Sequence, residues 1–149
     1  MTPQQLAEAC AAALWTDDSA SQRLGMVLDR IGPGMAVLSM AVTGQMTNGH
    51  GTIHGGYIFM LADSAFAFAC NTVDQRSVGQ QAAITYLAPA FRGDRLTATA
   101  REISRRGRGG LYDVTVTNQN DEIIAEFRGH SRTVKGTLLA PEGTPATAI

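Results

Sequence analysis

One stretch of this sequence gathers the groups that could do chemistry. It runs Asn48-Gly49-His50-Gly51-Thr52-Ile53-His54-Gly55-Gly56, and Asp63 follows inside the apolar run from Tyr57 to Cys70. That run has no Pro or Gly and exceeds an ordinary strand, so it reads as a helix. A carboxylate in an apolar helix is costly unless it is paired or used. Asp63 is therefore either structural, pairing with an arginine or capping a backbone group, or catalytic.

Gly55 and Gly56 fall where this helix should begin. Free N–H groups at a helix N-terminus favour negative charge and can bind the oxyanion of an acyl-transfer intermediate. Asp63 lies eight residues beyond Gly55, which is ~12 Å along a helix. One reacting carbonyl cannot lie ~3 Å from both groups of a single chain. If both act on one substrate, two chains must contribute, with their helices side by side and antiparallel. Catalysis then implies a homodimer with two equivalent shared sites.

His54 has two readings, a loop histidine or a catalytic one. Asn48 could orient water or a carbonyl, but Asn before Gly is also a common turn pair. His50 and His130 lack supporting context. No metal is expected, because two loop histidines and one distant Asp do not make a ready site. Ser64 follows Asp63 without a GxSxG elbow, and Cys70 in an apolar helix reads as an inert thiol. Arg105, Arg106 and Arg108 cluster at one turn, with Arg128, Arg132 and Lys135 on the last strand. They form either a solvated face or a cradle for phosphates.

Several elements must position these groups. Thr2 can cap a helix starting at Pro3 and running through Leu14, ended by Asp17-Asp18-Ser19. Met26–Leu28 and Met35–Val42 read as strands around the turn Ile31-Gly32-Pro33-Gly34. After the apolar helix come strands over Gly79–Leu87, Asp94–Ser104, Leu111–Thr117 and Glu122–Lys135, the last bulged near Gly129. Leu96, Ala98 and Ala100 alternate to one face, as do Tyr112, Val114 and Val116. An apolar helix followed by a strand meander predicts an α+β fold, with one sheet curled around the helix. The segment from Thr137 onward is rich in Ala, Pro, Thr and Gly and reads as a flexible tail, residues 137–149.

The chain has 149 residues, fitting one domain, here residues 1–136. A 44% hydrophobic content supplies a core, and a net charge of -1 argues against a nucleic-acid partner. The apolar run is shorter than a bilayer core and holds a carboxylate, so no membrane partner is expected. Two unpaired cysteines and no signal-peptide pattern point to the cytoplasm.

The Asn48–Gly56 segment with Leu61-Ala62-Asp63-Ser64-Ala65 resembles the signature of hotdog-fold thioesterases. Ile84-Thr85-Tyr86-Leu87-Ala88-Pro89-Ala90-Phe91-Arg92-Gly93-Asp94 and Glu126-Phe127-Arg128-Gly129 resemble the phenylacetate-degradation (PaaI-type) branch. The likeness spans about Leu24 to Gly136. It implies a long helix wrapped by an antiparallel sheet, chains paired edge to edge, and dimers paired into a homotetramer. It also implies hydrolysis of an aryl-acetyl or hydroxylated aryl-acetyl acyl-CoA, with coenzyme A as part of the substrate and no separate cofactor. Asp63 would be base or nucleophile, Gly55 N–H the oxyanion donor, and Asn48 and His54 positioning groups. Arg106, Arg108 and Arg132 would meet the coenzyme A phosphates. Some relatives carry a serine where Gly79 stands, followed here by Gln80 and Gln81, which leaves the Asp63 role open. An acyl-CoA sensor and an acyl thioester dehydratase or hydratase are the competing readings. The sensor lacks a DNA-binding segment here, and the dehydratase would need a proline-rich loop around its histidine.

Overall fold

A computed structural model describes residues 1–139. Helix α1 (Pro3–Thr16) begins as the sequence predicts. Thr2 Oγ1 accepts from Gln5 N at 3.1 Å, and Thr2 N donates to Gln5 Oε1 at 3.0 Å. This reciprocal cap satisfies two end groups, and Pro3 needs no N–H at N1. The Asp17–Ser19 cluster ends α1 but also starts a short helix that the sequence reading missed. Helix α2 (Ser19–Arg23) is capped by Asp18, whose carboxylate accepts from Ser21 N.

The hairpin β1 (Val27–Gly32) and β2 (Met35–Ala41) follows, with its turn narrowed to Pro33-Gly34. Helix α3 (Gly55–Ala69) then crosses the sheet to β3 (Ser77–Tyr86). The chain continues through β4 (Arg95–Arg106), β5 (Gly109–Thr117) and β6 (Ile123–Thr133). All pairings are antiparallel, in the order β1-β2-β4-β5-β6-β3. Strands β1 and β3 are therefore the edges. The long alternating strands required by period-two burial appear at β4 and β5. Leu96, Ala98, Ala100, Tyr112, Val114 and Val116 all point into the core.

Helix α3 packs chiefly on β2, β4 and β5, burying Ile58, Leu61, Ala62, Ala65, Phe66, Phe68 and Ala69. Phe66 is the hub, edge-on to Tyr112 at 5.6 Å and tilted against Phe127 at 5.8 Å. Such pairs add favourable quadrupole contacts to the burial itself. The helix is not covered on every side. Gly56 and Asp63 are exposed, and Phe59, Met60 and Ala67 are half-buried along the same stripe.

The expected bulge near Gly129 lies elsewhere. Gly129 pairs regularly with Ala82 and Tyr112. Its lack of a side chain makes room for Phe66, whose ring carbons lie 2.9 Å from where a Cβ would sit. One bulge falls on β3, where Gln80 is the extra residue between Gly79 and Gln81, and another interrupts β5–β6 pairing at Ile124. Thr137, Leu138 and Leu139 follow the last strand, with Leu138 N and Leu139 N both donating to Asp74 Oδ1. The rest of the expected tail, residues 140–149, lies outside the described residues.

Candidate active site

The loop before α3 is built by its own side chains. Asn48 Oδ1 accepts from His50 N at 2.9 Å and from Thr52 N at 3.3 Å. Asn48 Nδ2 donates to Thr52 Oγ1 at 3.2 Å. Asn48 thus holds the loop closed in the manner of an Asx turn. The loop is pinned to the body where Ile53 N donates to Ala90 O and His54 N donates to Met46 O.

His54 is the N-cap of α3, and its Nδ1 accepts from Gly56 N at 3.0 Å. That bond fixes the ring as the Nε2–H tautomer while it caps the helix. Gly55 N has no acceptor among the described residues. It stands in the first turn of a fifteen-residue helix, where unsatisfied N–H groups concentrate positive potential. Tyr86 lies against it, and its hydroxyl donates to Gly55 O at 3.0 Å. Sequence inspection gave Tyr86 no role, because the bond joins residues on different elements. Gly55, Ile58, Tyr86, Leu87 and Pro89 line a mainly apolar cleft of about 470 Å³.

Asp63 opens into a second cleft of about 300 Å³, bounded by Phe66, Ala67, Gly79, Gln80, Gln81 and Ala82. It is exposed in the single chain and makes no hydrogen bond or ion pair among the described residues. Among the described residues, neither the arginine partner nor the backbone cap of a structural carboxylate is present. Partial burial against the helix and β3 holds its carboxyl above the usual 3.8. The bulge at Gln80 belongs to this cleft, so the strand carries an irregularity beside the carboxylate.

The Gly55 N–H and the Asp63 carboxylate therefore occupy different clefts, separated by ~12 Å of helix. The single chain brings His54 and Gly55 together but keeps Asp63 apart. Ser64 is turned away, its hydroxyl 2.8 Å from that of buried Ser21. Cys70 is buried and its thiol is pushed up to about 12, an inert group. Phe68 is core, and Phe59 packs on Phe127 at 5.3 Å; of the helix aromatics, Phe66 alone lines the Asp63 cleft.

Arg106, Arg108 and Arg132 lie at one end of the sheet and are exposed. Arg106 and Arg132 flank Gly109 in one cross-strand row, and Arg108 sits in the β4–β5 turn. Arg128 is committed elsewhere. It grips Asp113 with bonds of 2.6 and 2.8 Å, which hold the Asp113 carboxyl below its usual range. No cluster of three or more potential metal ligands occurs among the described residues.

Residues 50–125 match the family model of the thioesterase superfamily. The acyl-coenzyme A thioesterase PaaI of Escherichia coli is 41% identical over 86% of this chain and 91% of its own. The solved structure of E. coli PaaI, from the phenylacetic acid degradation operon, superposes with a TM-score of 0.90, covering 91% of this chain and 99% of that one. Human acyl-coenzyme A thioesterase 13 is 31% identical over 64% of this chain and 71% of its own. A Streptococcus mutans protein solved bound to acetyl CoA is 26% identical, with a TM-score of 0.72 over 74% of this chain and 90% of that one.

Proposed function

Because the chain belongs to the thioesterase superfamily and is a thioester hydrolase of the acyl-CoA type, we propose that it hydrolyses aryl-acetyl-CoA esters at a site shared between two copies. The observation that carries the shared site is Asp63. Among the described residues it is a carboxylate without a partner on an uncovered helix stripe, ~12 Å from the Gly55 N–H, which likewise has no acceptor there. Strand β3 beside it is a ten-residue sheet edge with most residues exposed. A long bare edge exposes unpaired backbone groups, and a second copy would pair them. Joining two β3 edges about a two-fold axis sets the two α3 stripes antiparallel. Asp63 of one copy then faces Gly55 of the other.

In this site the thioester carbonyl oxygen points at Gly55 N–H. Asp63 of the second copy removes a proton from water as the water oxygen bonds to the acyl carbon. The carbonyl electron pair moves to oxygen, where the N–H and the helix end stabilise it. Collapse breaks the carbon–sulfur bond and releases coenzyme A and the free acid. Direct attack by the Asp63 carboxylate, through a mixed anhydride that water then opens, satisfies the same geometry. Single-turnover hydrolysis in oxygen-18 water distinguishes the two, because label incorporated into Asp63 excludes a purely general-base route.

The aryl-acetyl preference rests on similarity to PaaI and on the apolar cleft around Ile58, Tyr86 and Leu87 beside Gly55. The phosphates of coenzyme A would lie on Arg106, Arg108 and Arg132. Pairing of dimers into tetramers and a cytoplasmic setting belong to the same proposal. No helix among the described residues is long and apolar enough to cross a membrane. The test is thiol release from a panel of acyl-CoAs. Faster turnover of phenylacetyl- or hydroxyphenylacetyl-CoA than of straight-chain esters supports the preference. Equal or faster turnover of straight-chain esters removes it.

A further inference from the structure

The Gly55–Gly56 peptide is held at both ends. Its N–H donates to His54 Nδ1 at 3.0 Å, and its carbonyl accepts from the Tyr86 hydroxyl at 3.0 Å. Two consecutive glycines form the least constrained start a helix can have. An oxyanion donor is useful only when its direction is fixed before the charge develops. The peptide immediately before, His54–Gly55, carries the N–H that has no acceptor among the described residues. The carbonyl of that peptide accepts from Tyr57 N at 3.0 Å, so with the Gly55–Gly56 plane also held, the two torsions of Gly55 between them are set and the Gly55 N–H keeps one direction.

Tyr86 is well placed for this. It is the last residue of β3, paired in register with Ala125, and Leu87 N after it donates to Ile124 O at 2.8 Å. Its ring reaches from that anchored strand end to the start of α3. A Cβ on Gly55 would stand 2.8 Å from Tyr86 Cζ and 2.9 Å from its hydroxyl oxygen. The absence of a side chain at Gly55 thus admits the tyrosine as well as freeing the backbone. The ring is still 50% exposed, so its contribution to the core is small, while its hydroxyl contact is specific.

We propose that Tyr86 is a positioning residue for hydrolysis, clamping the Gly55–Gly56 peptide together with His54 so that the Gly55 N–H is preset toward the substrate oxygen. This rests on the reading of Gly55 N–H as the oxyanion donor. The clamp acts on the transition state more than on the bound ester, because charge on the oxygen develops only during reaction.

The experiment compares wild type with Tyr86→Phe in steady-state thiol release from phenylacetyl-CoA. Amide hydrogen exchange at Gly55 and Gly56 is followed by NMR on the same full-length proteins. The clamp predicts that kcat falls about three- to ten-fold, the worth of one neutral hydrogen bond, while KM changes less than two-fold. It also predicts faster Gly56 exchange with an unchanged thermal midpoint. Unchanged kcat and unchanged exchange in Tyr86→Phe, with an active wild type, would overturn the clamp. A fall in kcat accompanied by an equal loss of thermal stability, with exchange faster throughout the chain, would overturn it too, by making Tyr86 structural. A wild type that hydrolyses no acyl-CoA would instead sink the underlying thioesterase site, whatever the exchange data show.

Discussion

Gly55 and Asp63 ride on one unbroken helix, α3, yet open into separate clefts of about 470 and 300 Å³. Their spacing is too long for one substrate carbonyl to use both within one chain. In the proposed site the two groups meet only when helices from two chains lie side by side.

Replacing Asp63 tests the chemical half of this arrangement. Asp63→Asn is expected to lower kcat at least a hundred-fold, the lower end of what a positioned acid or base contributes. The fold and the assembly should survive, because the carboxylate has no partner to lose among the described residues. Thiol release, size-exclusion elution and circular dichroism together check it. Collapse of the assembly on this substitution would show that Asp63 is structural.

The pH dependence follows from the direction of the Asp63 shift. Partial desolvation in its cleft holds its proton above the ordinary 3.8, and closure by a second copy would raise it further. The proposed hydrolysis needs the ionised Asp63 carboxylate, so kcat/KM should rise with pH along an acid limb centred above 3.8. The folded chain holds this proton more tightly than the unfolded one. The stabilisation linked to it is therefore complete below 3.8 and lost as pH rises through the folded value. An acid limb at or below 3.8 in a pH–rate profile would remove Asp63 as the titrating group.

The arginines divide into two groups. Arg108→Ala should raise KM for acyl-CoA about two- to five-fold, as an exposed ion contact allows. It should leave a pantetheine thioester, which lacks the nucleotide, unaffected. Arg128→Ala should change neither, because its guanidinium is bound to Asp113. Equal effects of Arg108→Ala on both esters would remove the phosphate cradle.

The core prediction concerns Gly129. An alanine Cβ there meets the Phe66 ring at 2.9 Å, and that ring is fixed between Tyr112 and Phe127. Gly129→Ala should cost about 1–3 kcal/mol by overpacking, read by urea denaturation. A neutral result would mean that Phe66 has room to shift.

Local signals carried most of the fold. The Thr2–Gln5 cap, the alternation of Leu96 to Ala100 and of Tyr112 to Val116, and the uninterrupted apolar run holding Asp63 are each decided within a few residues. The helix start at Gly55 was equally local. What the sequence hid is set by partners distant in the chain. Tyr86 meets Gly55 from 31 residues away, and Arg128 meets Asp113 from 15. The bulge at Gln80 depends on how β3 and β6 register, which neither strand reveals alone. Helix α2 escaped because Ser19-Ala-Ser-Gln-Arg has no apolar period to mark it. Which stripe of α3 stays open was also illegible, since apart from Ser64 the residues around Asp63 on the helix are apolar and only packing decides which of them the sheet covers.

Mixing two inactive variants tests whether the site is shared between chains. Gly55→Pro removes the proposed oxyanion donor at a helix position that tolerates proline. His54, at φ -65° and ψ 132°, already has the extended backbone a following proline requires, and the exposed Tyr86 ring can move aside. Asp63→Asn removes the carboxylate. Each variant alone should be inactive. After the two are unfolded together and refolded, half the dimers hold one of each, and each mixed dimer has one intact site of two. A shared site gives recovery of about a quarter of wild-type activity. No recovery, with mixed dimers demonstrated by mass spectrometry, would contradict a site shared between chains.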